Sequence, residues 1–117
     1  IIKLRNKNAL NTVFKIGNEM RTVLMYFVVN GDYAKVVSLL KGQGSVATNI
    51  LDHQKQNALA LAVTVACGKQ DYPLGIIEDL LNHSPEEQLF QADIDGEIPL
   101  HIALRNGNLP VVELLLK

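Results

Sequence analysis

The chain has few residues of several types, and each shortage excludes some classes of protein. Its 117 residues include no Trp, and aromatic residues make up only 5%. Cys67 is the only cysteine, so no disulfide can form within the chain, and this fits a reducing compartment such as the cytoplasm. A core without large rings needs thin layers of Leu, Val, Ile and Ala, and the hydrophobic content of 48% supplies them.

The sequence also lacks a long apolar run and an excess of charge of one sign. Its longest apolar run, residues 23–29, is far shorter than the roughly 20 residues that cross a bilayer, so we expect no membrane insertion. The net charge is −1, and the basic residues are dispersed apart from a small cluster at Lys3, Arg5 and Lys7. We expect no nucleic-acid partner, because such binding needs a basic stripe with stacking aromatic rings.

Residues 93–117 carry the clearest pattern in the chain. Pro99 can open a short helix, where its missing N–H group costs nothing. Asn106-Gly107 comes next as a turn, because Gly accepts the left-handed backbone that ends a helix. Pro110 then opens a second apolar helix that ends near Leu116. The pattern predicts one helix–turn–helix unit.

Two weaker copies of this unit lie upstream. Thr22 and Leu40 are 18 residues apart, and so are Ile98 and Leu116. Each of these two spans contains an Asn-Gly pair. A third copy, residues 57–81, is six residues longer, and its extra residues lie within 64–75, where the helix–helix turn belongs. The two linkers between units have the same length of 17. This internal period predicts a stacked repeat protein.

The unit resembles the ankyrin repeat, whose signature Thr-Pro-Leu-His corresponds to Ile98-Pro99-Leu100-His101. The resemblance implies an all-α solenoid of stacked helix–turn–helix units with short hairpin-like linkers. It assigns residues 21–51, 52–92 and 93–117 to three repeats. No unit keeps both the Thr and the His, which in this family tie the helix start to neighbouring backbone. We therefore expect a lower local stability than in a consensus array.

The spacing predicts particular elements and a core. Helices are expected at residues 22–29, 33–40, 58–66, 74–82, 99–105 and 110–116, with one helical turn after Ser84-Pro85. The predicted core consists of Leu24, Val28, Val36, Leu39, Leu40, Leu59, Ala62, Ile77, Leu80, Leu81, Leu100, Ala103, Val112 and Leu115.

Residues 1–20 do not match the repeat. Helical spacing of apolar residues predicts a helix at residues 7–15, ended by Gly17-Asn18, that caps the first repeat; a remnant of a preceding domain is the alternative. The chain begins without Met and stops within an apolar helix. We expect further repeats or a domain after Lys117.

The sequence holds few residues suited to chemistry. His53, His83 and His101 fall on different parts of the predicted fold, so no metal site is expected. Cys67 lies outside any protease signature, and the paired acids Glu86-Glu87 and Asp93/Asp95 suit a helix start and a turn. We therefore predict no catalytic residue, no cofactor and no enzyme activity.

The resemblance also implies where a partner binds. Ankyrin repeats line a concave face with their hairpin tips and first helices, and partners usually dock there. Tyr72, on the inserted turn, adds an aromatic residue of a type common in binding hot spots. Carried over by position, the predicted contact residues are Asn18, Glu19, Arg21, Asn30, His53, Gln54, Gln56, Tyr72, Ile94, Asp95, Glu97, Arg105 and Asn106.

The function implied is a non-catalytic protein–protein interaction module in the cytoplasm, whose partner is another protein. The alternative is a regulatory or targeting segment of a larger enzyme, or of a secreted bacterial effector acting in the host cytosol, with any catalytic domain outside these residues.

Overall fold

The first helix of each unit begins at the position that the repeat pattern predicts. Thr22 caps its helix by accepting a hydrogen bond at Oγ1 from the Met25 N–H group (3.3 Å). Asn57 does the same at Oδ1 for the Ala60 N–H group (2.9 Å). Ile98, at the equivalent position, has no side chain that can cap. The three first helices are α1 (Val23–Asn30), α3 (Ala58–Gly68) and α5 (Pro99–Arg105).

The second helices fold back after short turns. Gly31 and Gly107 adopt left-handed φ angles of 68° and 65°, which confirms the role predicted for the two Asn-Gly pairs. Asp32 and Asn108 then cap the next helices, accepting from the backbone N–H groups three residues on, each at 3.3 Å. The second helices are α2 (Tyr33–Lys41), α4 (Gly75–His83) and α6 (Leu109–Leu115).

The computed structural model describes residues 12–16, 19–42 and 46–116. Helices α1, α3 and α5 pack side by side in one row, and α2, α4 and α6 pack in a second row behind them. We call the pairs α1–α2, α3–α4 and α5–α6 the first, second and third layers. Together they form a block of 41 × 26 × 26 Å. The stack confirms the predicted all-α architecture.

The core lies between the two rows and between the layers. Nine of the predicted core residues are buried, and five lie partly buried at its edge. Residues that the pattern missed are also buried, notably Met25, Leu61 and Ile76. Leu61 was missed because the second layer is covered on both sides, so α3 is apolar around most of its circumference rather than along one stripe.

The predicted N-terminal helix is wrong where the structure describes it. Phe14–Ile16 (β1) is a strand that pairs antiparallel with Glu19–Arg21 (β2), with Ile16 opposite Glu19. Apolar and charged residues alternate in Phe14-Lys15-Ile16, and Gly-Asn stands between the two runs, which is a hairpin signal. Residues 7–11 of the predicted helix and the predicted turn at 17–18 lie outside the described residues. The hairpin belongs to the front of the first layer.

The linker between the second and third layers contains a short 3₁₀ helix, Glu86–Phe90, after Ser84-Pro85. This confirms the predicted helical turn. None of the helices in the described part of the chain combines the length and apolarity that crossing a bilayer requires.

Candidate protein-binding surface

Two hairpin turns at the front of the stack are closed by the same pattern of hydrogen bonds, in which an aspartate accepts from the backbone. Asp52 Oδ1 accepts from the N–H groups of Gln54 (2.8 Å) and Gln56 (2.9 Å). Asp93 Oδ1 accepts in the same way from the second and fourth residues after it, both at 2.9 Å. A carboxylate that bonds the backbone just after it closes a tight turn. The two tips therefore have the same shape although their sequences differ.

The third residue after each aspartate has a left-handed backbone. Gly96 has a φ of 79°, and Lys55 has a φ of 58°. Lys55 is the only residue other than glycine with a positive φ among those that the structure describes. A side chain in this region costs about 1–2 kcal/mol, so the second tip is held in shape by its hydrogen bonds.

The two tips and strand β2 of the first layer are joined to one another. The Ile94 N–H group donates to the Gln54 carbonyl oxygen at 2.9 Å, which links the third tip to the second. The Met20 N–H group donates to His53 Nδ1 at 3.3 Å, which links β2 to the second tip. These two bonds make β2 and the two tips one continuous row.

A second kind of bond fastens each of the last two tips to its own first helix. Gln56 Nε2 donates to Thr64 Oγ1 at 2.8 Å, and the Thr64 hydroxyl donates to the Ala60 carbonyl oxygen at 3.0 Å. At the same positions of the third layer, Glu97 forms an ion pair with Arg105 at 3.1 Å. A neutral pair and a charged pair thus make the same connection.

The prediction that Gln56 contacts a partner is wrong. Its side chain is buried behind the second tip by the bond to Thr64. Glu97 and Arg105 both remain partly exposed to solvent, and the Arg105 side chain is largely exposed. In the first layer Arg21 pairs with Glu19 of the same strand instead, because Val29 stands where a helix partner would have to be.

The other predicted residues divide by exposure. Asn18 lies outside the described residues. Glu19, Arg21, His53 and Glu97 are half-buried. The exposed ones are Asn30, Gln54, Ile94, Asp95, Arg105 and Asn106. Of these, Asn30 and Asn106 also use Nδ2 to bond the carbonyl oxygen four residues before them, at 3.0 and 2.7 Å.

Tyr72 was predicted to be a surface contact, and this is wrong. It is only 6% exposed, and its hydroxyl donates to the Val28 carbonyl oxygen of the first layer at 2.6 Å. Burial raises its pKa above the usual range. Beside it, Lys69 Nζ reaches the Val29 carbonyl oxygen at 3.5 Å. The inserted residues extend α3 and fold onto the end of α1, so the insertion joins two layers.

The inserted turn lies close to Gly31 of the first layer. A Cβ added at that glycine would lie 3.5 Å from Pro73 Cδ and 3.6 Å from the Tyr72 ring, which is ordinary van der Waals distance. No local pattern predicts a contact between residues 31 and 72, because it depends on how the layers stack.

The residues considered for catalysis or metal binding either have a structural role or have no role that the structure shows. Burial raises the pKa of the Cys67 thiol, which disfavours the nucleophilic thiolate. Asp93, Asp95 and Glu97 bring three carboxylates within 4.8 Å of one another. The turn bonds occupy Asp93 Oδ1, and Arg105 pairs with Glu97, so the hairpin accounts for this cluster.

The three histidines lie in separate settings. His53 accepts from Met20 at the tips, and His83 Nδ1 lies 2.8 Å from the Asp79 carbonyl oxygen at the end of α4. His101 is exposed on α5. The tie to neighbouring backbone that the resemblance implies for His101 is not seen among the described residues.

Two exposed residues belong to this surface although the sequence pattern did not single them out. Met20 points outward from β2, and Thr64 stands on α3 where the third layer has Arg105. Both are explained by known signals: strand alternation for Met20 and repeat register for Thr64. We define the front surface as Met20, Asn30, Gln54, Thr64, Ile94, Asp95 and Arg105.

A family model for ankyrin repeats, described as three copies, matches residues 24–117. The match covers most of the chain and begins within α1, so it includes the three layers and the last two tips. With the stacked layers and the joined tips, it shows that this chain belongs to the ankyrin-repeat family.

Proposed function

We propose that this chain is a non-catalytic module that holds a protein partner on its front surface. Ankyrin repeats are in general protein–protein interaction modules. The observation that carries the proposal is the row formed by β2 and the two tips, joined by the bonds from Met20 to His53 and from Ile94 to Gln54. Such a surface is ordered before the partner arrives, so binding loses little conformational freedom.

The chemistry of the front surface suits a protein. Ile94 is 57% exposed at the third tip, and Met20 is exposed on β2. Asp95 follows Ile94 in the chain and is exposed, and Arg105, also exposed, is paired with Glu97 of the same tip. Apolar anchors surrounded by polar groups are typical of protein interfaces.

The proposal is tested with two matched variants. Ile94→Asp introduces a charge at the third tip, and Leu109→Asp introduces the same charge at a residue of similar exposure, 65%, at the start of α6. A partner captured by the wild-type chain is identified, and its affinity for each variant is measured by calorimetry. We expect Ile94→Asp to weaken binding at least about tenfold, because a desolvated charge at an anchor position costs more than about 1.4 kcal/mol. Equal affinity of both variants would count against the front surface.

A paired charge test refines the first. Asp95→Ala and Arg105→Ala together should weaken the captured partner's binding, whereas Glu113→Ala, an exposed acid on α6, should not. Unchanged partner recovery with the double variant would contradict the assignment.

A second candidate function concerns the outer side of the third layer. Leu104 is 54% exposed, but the residues at its position in the first and second layers, Val28 and Val63, are fully buried. Those residues are buried because the next layer covers them. We propose that the third layer accepts another helix–turn–helix layer, which would place this chain in a longer array, as expected of a segment of a larger protein.

This second candidate has its own test. A consensus terminal repeat is fused after Lys117, and thermal unfolding is compared with that of the unfused chain. We expect a clear rise in the unfolding midpoint and reduced binding of a hydrophobic dye, because the exposed side chains of Leu104, Phe90 and Leu116 become covered. An unchanged midpoint would argue against stacking at this face.

A further inference from the structure

The charges of the chain are strongly segregated although they nearly cancel. Residues 1–69 contain nine Lys and Arg against three Asp and Glu, and residues 70–117 contain two against nine. Between Lys69 and Arg105 there is no basic residue other than His. The net charge of −1 hides this division. Consequently α4, the linker after it and the third layer form an acidic half of the molecule.

A groove of about 420 Å³ opens in this acidic half, at the linker ends of α4 and α6. Leucines from four elements line it: Leu59 from α3, Leu81 from α4, Leu89 from the linker, and Leu114 and Leu115 from α6. Leu59 is fully buried, and the others are partly exposed. The groove therefore offers partly exposed leucine side chains to a binding partner.

Two acidic residues border the leucines. Glu78 on α4 and Glu86 on the 3₁₀ helix are exposed and line the groove. No Lys or Arg is among the described residues that line it. Ser84, which also lines the groove, has a buried Oγ without a hydrogen-bond partner among the described residues. An occupant would thus meet leucine side chains and two negative charges.

From this arrangement we propose that the groove binds a basic amphipathic helical segment of a partner protein. Leucine or similar side chains at helical spacing would enter between Leu81, Leu89 and Leu114, as in other helix-in-groove complexes. Lys or Arg on the flanking face of that segment would pair with Glu78 and Glu86. Anionic lipid and nucleic acid do not fit, because their phosphates would be repelled by the same carboxylates.

The groove is separate from the front surface. None of the residues that define the front surface lines it. A basic segment can therefore bind here while a partner occupies the tips, and each site can be tested without the other.

The test uses the whole chain and a synthetic probe. The probe is a fluorescent Leu/Lys peptide about four helical turns long with its leucines on one face, and a Leu/Glu peptide of the same pattern is its control. Binding is followed by fluorescence anisotropy at about 0.15 M salt, where charges beyond about 8 Å are largely screened. We expect saturable binding of the Leu/Lys peptide and none of the Leu/Glu peptide.

The matched variants are Glu86→Lys and Glu87→Lys. Both residues are exposed on the 3₁₀ helix and undergo the same change of charge, but Glu87 lines a different, polar pocket beside Asn57. We expect Glu86→Lys to weaken binding about tenfold or more and Glu87→Lys to weaken it less than about threefold. Ile94→Asp at the front surface should leave the peptide affinity unchanged.

Several results would overturn the proposal. These are no binding of the Leu/Lys peptide, equal binding of the Leu/Glu peptide, or equal weakening by the two lysine variants. Self-association in sedimentation experiments that Glu86→Lys abolishes would assign the groove to a second copy of the chain instead. A failure here leaves the front surface untouched, because that surface is tested with a different ligand and different variants.

Discussion

The second and third layers use the same aspartate turn at their tips, but they differ in the residues just after that aspartate. The second layer has Lys55 in a left-handed conformation and Asn57 at the helix start, whereas the third has Gly96 and Ile98. Gly96 therefore fits the left-handed turn without strain, whereas Asn57 supplies the helix cap that Ile98 lacks. The two layers show that a repeat can depart from its consensus at different places and keep one backbone shape.

The difference is explained by the surroundings of each layer. The second layer is covered on both sides, and its departures are compensated by contacts to its neighbours. Asn57 Nδ2 bonds the Gln88 carbonyl oxygen of the next linker at 3.0 Å, and Tyr72 bonds the first layer. The third layer has one covered side, and its tip relies on glycine and an ion pair. Long-range hydrogen bonds thus hold the second layer in shape, whereas residues of its own tip hold the third layer in shape.

The largest effect is expected from removing the inserted turn's anchor. Tyr72→Ala should lower the free energy of unfolding by roughly 3–5 kcal/mol, because a buried ring and its hydroxyl bond are lost. Denaturant titration followed by circular dichroism measures the change. Tyr26→Ala is the control, since that ring is partly exposed, and its loss should cost much less. Similar losses for both tyrosines would mean that the insertion does not tie the layers together.

Removing the helix cap of the second layer and adding one to the third should change the free energy of unfolding in opposite directions. Asn57→Ile should lower stability by roughly 2–4 kcal/mol, because the cap is lost and the Gln88 carbonyl oxygen is left unpaired. Ile98→Thr supplies the missing cap in the third layer and should raise stability by about 0.5–1 kcal/mol. Both are measured by thermal and denaturant unfolding. If Asn57→Ile were neutral, the long-range bond would not be the compensation that we infer.

Alkaline pH should weaken the second layer through Tyr72. Burial raises the pKa of Tyr72 in the folded chain above its unfolded value near 10. The unfolded chain therefore loses this proton first as pH rises. The stabilisation is complete below pH of about 10 and falls above it by up to about 1.4 kcal/mol per pH unit. Unfolding measured between neutral pH and a pH of about 11 should show this slope, and Tyr72→Phe, which cannot ionise there, should have a shallower one.

The smallest effect is expected at the two tips. Lys55→Gly should raise stability by about 0.5–1 kcal/mol, because the strained left-handed lysine is relieved. Gly96→Lys should lower it by about 1 kcal/mol for the converse reason. Thermal midpoints compare the two variants. A loss of stability in Lys55→Gly would show that the lysine side chain makes a contribution larger than its backbone strain.

The elements of the stack could be predicted to within two residues at each end, because their determinants are local. Asp32 and the Asn-Gly turns act within a few residues of themselves, and the helix start at Pro99 needs only its own ring. The start of β1, Phe14-Lys15, was mistaken for the end of a helix. Four or five apolar residues in a short window satisfied a helical spacing, although the alternation in Phe14-Lys15-Ile16 indicated a strand.

The candidate site was predicted less well than the fold, for a related reason. Ile94, Asp95 and Arg105 were placed correctly on the surface, since the repeat register carries them there. Gln56 and Tyr72 were placed wrongly, because each is buried by a hydrogen bond to a residue outside its own turn. The acidic groove was missed because composition averages charge over the whole chain.

Local sequence was enough to specify three paired-helix units and the positions of their turns and caps, because capping, helical periodicity and glycine conformation act over a few residues. Only the tertiary structure decided how the layers are held together and where they leave a groove. These features are the joined tips, the bond from Tyr72 to Val28, and the groove between α4 and α6. Those features depend on residues tens of positions apart meeting at contact distance, and the positions of such pairs are set by the stacking of whole layers.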